Sequence, residues 1–143
     1  MKNAINLITA LTAITIVLWI ASIPYLPERS QTPLKLISQI TANLTILYMS
    51  LSIILSMKLH TIDRYFKGMN TSYKIHAFIG STAFLFMIGH PLLLVINALP
   101  NTNTAFGYVF FGTRTAANFG IAAVYLTIFA FTFMTFIKLK YTS

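Results

Sequence analysis

The chain has 143 residues, 57% of them hydrophobic and 8% charged, where a water-soluble domain carries about 25% charged residues, so it is not built to face water. Ten Lys and Arg against two acids give +8, a balance that in a soluble protein would point to nucleic acid; here the basic residues sit in short connections between apolar runs, and no nucleic-acid partner is expected. The absence of cysteine excludes disulfides, thiolate metal sites and iron–sulfur clusters.

The first apolar run, Ala4–Ile23, is uncharged and long enough to span a bilayer. It exceeds the apolar core of a secretory signal, about 7–15 residues, so a retained span is expected. Pro24, Pro27 and Pro33 punctuate the connection that follows, because proline cannot continue the helical hydrogen-bond ladder. The second run, Leu36–Met57, carries Thr41, Asn43, Thr45, Ser50, Ser52 and Ser56. Such groups survive in lipid by bonding the helix backbone or a neighbouring helix, and Asn43, the costliest, is expected to face protein. Residues 58–74 form a basic connection in which Gly68 and Asn70 mark a turn. The third run is Ile75–Leu99. Pro100–Thr113 is a polar connection rich in Asn, Thr and Gly. The fourth run, Thr115–Ile137, is aromatic and uncharged.

The expected fold is therefore all-α: one polytopic transmembrane bundle over residues 1–143, with spans near 4–23, 36–57, 75–99 and 115–137. Lys and Arg number seven on the side of the termini and the second connection, and three on the other. The positive-inside rule places both termini in the cytoplasm, as expected for a multi-pass protein of the cell membrane. There is no glycine-rich dinucleotide fingerprint, no phosphate-binding loop and no internal repeat.

The third span carries His76 and His90. Fourteen steps at about 100° fall about 40° short of four turns, so both imidazoles project from one face, about 21 Å apart along the axis. A polar side chain inside a span is a functional hypothesis by default, and neutral imidazole is a common ligand for metals, haem iron included. Gly80 lies one turn beyond His76 and Gly89 precedes His90. Glycine lets a flat group approach the backbone, or lets helices pack closely. The two histidines are expected to share one groove lined by both glycines. Pro91 removes the bond to the Met87 carbonyl and predicts a local kink. The competing reading makes each histidine a helix–helix hydrogen bond. A third makes them part of a proton path in a small transporter. His60, without an in-phase partner, reads as interfacial. Arg64, Lys67 and Lys74 near His76, and Arg114 on the other side, either set topology or pair with carboxylates of a cofactor. Trp19, Tyr25, Tyr48, Phe106, Tyr108, Phe110 and Phe111 read as belt or packing residues.

The stretch from His60 to Leu94, with Arg64, Tyr65 and Phe66 followed by His76, Gly80, His90 and Pro91, resembles the ferric reductase-like transmembrane domain. That superfamily includes ferric-chelate reductases, NADPH oxidases and the haem-binding membrane subunit of the methionine sulfoxide reductase system. The likeness is close over Leu36–Leu99 and extends to the flanking spans only by hydropathy. It implies two b-type haems stacked across the membrane. Each would be held by one histidine of the third span and one of a fifth, carrying electrons from a cytoplasmic donor, a flavoprotein or a quinone, to an external acceptor. His76 would be an inner ligand and His90 an outer one. The resemblance implies six spans, and only the first four lie in this sequence. Either a second chain or further C-terminal spans supply the second ligand pair, or haem binding has been lost in this chain. The function expected is a haem-binding membrane component of an oxidoreductase; the alternative is a non-catalytic membrane subunit or scaffold whose span histidines join helices.

Overall fold

The computed structural model describes residues 2–28, 32–57, 64–66, 68–113 and 115–142. Among them the regular structure is helical: α1 (Lys2–Ser22), a single 3-10 turn (Ile23–Tyr25), α2 (Pro33–Ser56), α3 (Met69–Ala98), a short α4 (Thr102–Phe106) and α5 (Thr115–Thr142). Three helical stretches, Ile5–Tyr25, Pro33–Ser56 and Met69–Ala98, are long and apolar enough to cross a membrane. Ala117–Phe133 within α5 is a shorter apolar stretch. Side chains such as Val17, Leu18, Phe78 and Leu85 are left exposed. Surfaces of that kind are stable against lipid and unstable in water. The chain is a helical protein of the membrane type.

Helix boundaries follow local chemistry. Pro24 breaks the α1 ladder, and Leu26 N–H closes the turn on the Ile23 carbonyl at 3.1 Å. Pro33 opens α2 at a position where its missing N–H costs nothing, so the helix starts earlier than hydropathy alone suggests. α3 also starts early. Gly68 has φ +114°, a conformation that side-chain-bearing residues rarely adopt. Its carbonyl accepts from Thr71 and Ser72, so the turn ends at Gly68 and Asn70 is already helical. The helix continues through Pro91 to Ala98. α4 interrupts the third connection because Asn101 caps it: its Oδ1 accepts from Thr104 N–H at 3.2 Å.

The chain divides into two units, residues 1–93 and 94–143. In the first, α1 and α2 pack together, and Thr12 Oγ1 meets Tyr48 OH at 3.1 Å. Leu55, Phe66 and Ile79 form a buried cluster, with Ile8, Tyr48, Leu51 and Ile75 against it. Phe66, in the basic connection, is thereby drawn into the core beside the ends of α2 and α3. In the second unit, Ala98, Ala105 and Ile121 are buried. Asn118 holds both the N–H and the carbonyl of Gly112, and Tyr125 OH donates to the Val109 carbonyl at 2.8 Å, tying α5 to the connection before it.

Candidate functional site

The first unit contains two copies of one arrangement. His76 Nδ1 lies 2.9 Å from the Ser52 carbonyl oxygen and 3.0 Å from Ser52 Oγ. His90 Nδ1 lies 2.8 Å from both the carbonyl oxygen and the Oγ of Ser38. The serines are fourteen residues apart on α2, as the histidines are on α3. The pairing crosses over, with the later serine meeting the earlier histidine, so α2 and α3 run antiparallel with both contacts in one register.

These distances fix the tautomer. A carbonyl oxygen only accepts, so at 2.8–2.9 Å the facing ring nitrogen must carry the proton. Nδ1–H therefore donates to the serine carbonyl at both sites. In the neutral ring Nε2 then keeps its lone pair, and among the described residues it makes no hydrogen bond. A ligating histidine is oriented in this way: a backbone carbonyl on one nitrogen fixes the ring and raises the basicity of the other.

The surroundings of the two rings differ. Ser38 is fully buried; its hydroxyl donates to the His90 carbonyl at 3.0 Å, beside Pro91, while its own carbonyl also accepts from Thr41 Oγ1 at 2.7 Å. Ser52 has no such supports among the described residues. It is pressed instead by Gly80, where an added Cβ would come within 3.2 Å of Ser52 Oγ. Tyr73 stands against His76 with ring centroids 6.4 Å apart.

Gly80 thus lies in the helix contact, and its missing side chain lets α2 close on α3. A Cβ at Gly89 would meet nothing within 4 Å. Thirteen residues from His76, Gly89 stands about 140° around α3 from it, so it does not share the face that holds Gly80 and the imidazoles. Lys74, two residues before His76, is exposed and about 160° around the helix from it. Arg64 is exposed at the end of the basic connection. Arg114, His60 and Lys67 lie outside the described residues. Asn43, expected to face protein, is exposed. Trp19 Nε1 is buried with no hydrogen-bond partner among the described residues. Among the described residues no group of three or more His, Asp or Glu side chains gathers as a metal site. Ser38 was not named from sequence, and Ser52 only as one of several small polar groups expected to bond the backbone or a neighbouring helix. Their equal spacing with the histidines was the available signal, and it gains meaning only once the helices are known to be antiparallel.

Compared with known proteins, the chain matches no family model, no curated protein and no solved structure.

Proposed function

We propose that this chain crosses the membrane four times, with both termini cytoplasmic, and supplies one axial imidazole to each of two haems, His76 on the inner side and His90 on the outer. What supports the reading is the shared tautomer: both rings are pinned through Nδ1 to a serine carbonyl, which reserves Nε2 for a ligand. Haem iron, where bound, supplies one-electron redox chemistry. The residues of this chain orient the ligand nitrogens and keep them in an apolar helix pair about 21 Å apart. α3 would supply one imidazole to each haem, so the second ligands would come from a second chain or from further spans. Reducing equivalents would come from a flavoprotein or a quinol on the cytoplasmic side. On this reading Arg64 on that side and Arg114 on the other would pair with carboxylates of the cofactor, whereas Lys74 stands about 160° around α3 from His76.

A second reading has its own observation. The same bonds join α2 to α3, and Gly80 closes the contact, so the histidines would serve as structural clasps in a non-catalytic subunit or scaffold. Reduced-minus-oxidised spectra separate the two. Co-expression with a partner bearing a second histidine pair should give b-type bands, and His76→Ala and His90→Ala should each remove one haem. Undiminished bands in the double variant, or none with any partner, would overturn the haem assignment. The clasp reading instead expects no bands and a loss of stability from either substitution.

A further inference from the structure

The two serine hydroxyls are not equally placed. The Ser38 hydroxyl donates to the His90 carbonyl at 3.0 Å, so its one proton is committed, and its oxygen can only accept from His90 Nδ1–H. Ser52 is buried, and among the described residues its hydroxyl meets no acceptor but His76 Nδ1, 3.0 Å away. With a proton on His76 Nδ1, the Ser52 hydroxyl proton has no acceptor left. A buried donor in that state is costly.

His76 has an alternative that His90 lacks. Its Nδ1 is almost as near to Ser52 Oγ, at 3.0 Å, as to the Ser52 carbonyl, at 2.9 Å. A small turn of the ring, about a torsion whose wells are broad, moves Nδ1 from one to the other. The hydroxyl then donates to a bare Nδ1, and the ring proton sits on Nε2 instead. The ring stays neutral, and the Ser52 carbonyl keeps its ladder amide. Each form of His76 thus has one donor unmet: the Ser52 hydroxyl in the first, Nε2–H in the second. At His90 the first form has none. The second would break the Ser38 bond to the His90 carbonyl and strand Nε2–H besides.

We infer that His76 is a tautomeric switch, with Ser52 as the residue that permits it, and that His90 is locked by Ser38. The Nε2 of His90 offers a lone pair only, to iron or another electrophile. The Nε2 of His76 offers either a lone pair or an N–H. Of the two rings it alone can also hold a hydrogen-bond acceptor, a carbonyl or carboxylate oxygen. What meets Nε2 selects the form.

Nitrogen NMR of the full chain, ring-labelled at histidine and held in lipid bilayers without haem, reads the form directly. His76→Gln and His90→Gln chains assign the signals. His90 should show one form, with Nδ1 protonated and Nε2 bare. His76 should show both forms, the minor one at about a tenth. Ser52→Ala removes the stranded hydroxyl and keeps the carbonyl, so it should lower the Nε2–H form of His76 about tenfold. Ser52→Thr keeps the hydroxyl and should retain that form. A His76 held on Nδ1 as firmly as His90, equal mixtures at both rings, or a mixture untouched by Ser52→Ala would overturn the inference. The samples carry no haem, so this result and the haem spectra can fail separately.

Discussion

The two ends of the α2–α3 pair use the same bond in different settings. At the His90 end Ser38 is fully buried and carries several tasks: its carbonyl accepts from His90 and from Thr41, and its hydroxyl donates to the His90 carbonyl. At the His76 end Ser52 makes side-chain hydrogen bonds only with His76 among the described residues, and Gly80 supplies steric closeness where the His90 end has hydrogen bonds. Polar satisfaction closes one end of the pair and small-residue packing the other. Membrane helices use both devices, and their failure modes differ.

The largest expected effect separates the ends by deletion. His90→Ala leaves a buried serine hydroxyl and carbonyl without their ring partner and should cost about 2–3 kcal/mol of folding stability, against about 1–2 kcal/mol for His76→Ala. Unfolding titrations in bicelles measure both. An equal loss would mean that the extra bonds at the His90 end contribute nothing.

Glycine substitution sharpens the contrast from the packing side. Gly80→Ala drives a Cβ toward Ser52 Oγ, which is held on His76, and should cost about 1–2 kcal/mol while loosening the Ser52–His76 contact alone. Gly89→Ala meets open space and should be neutral, or stabilising by about 0.5–1 kcal/mol through helix propensity. The imidazole proton resonances of labelled histidine report which ring is disturbed. A Gly80→Ala variant that moved His90 and left His76 in place would refute the assignment of Gly80 to the His76 end.

The smallest effect is the most local. A helical carbonyl has two lone pairs, and that of Ser38 faces its ladder amide, Thr41 and His90 together. Thr41→Val removes one competitor. The His90 Nδ1–H proton should then move downfield as its bond strengthens, with His76 unchanged and stability altered by no more than about 0.5 kcal/mol. A His90 resonance that stays in place would show that the carbonyl is not contested.

Much of the architecture was legible in the sequence because a bilayer imposes a length. Uncharged runs of about twenty residues announce spans, and three of the helices have that length and character. Helix starts were less legible, since hydropathy ignores hydrogen bonding: α2 begins at Pro33 and α3 at Met69, where a proline and the left-handed Gly68 decide the matter. α4 went unread because five residues leave no periodicity, although the Asn101 cap was in view. Asn43 was expected to face protein on grounds of cost alone, and the structure leaves it exposed.

The sequence by itself determined that His76 and His90 share a face, since the phase of residues on one helix is a property of the backbone and needs no partner. Only the tertiary structure decided what that face meets. The register between α2 and α3 puts Ser38 and Ser52 against the rings, assigns the proton to Nδ1, makes Gly80 a packing residue and leaves Gly89 in open space. The reason is the range of the interactions. Helical phase and hydropathy depend on neighbours along the chain, whereas a hydrogen-bond acceptor 24 or 52 residues away depends on how two helices slide and turn against each other. No local pattern encodes that.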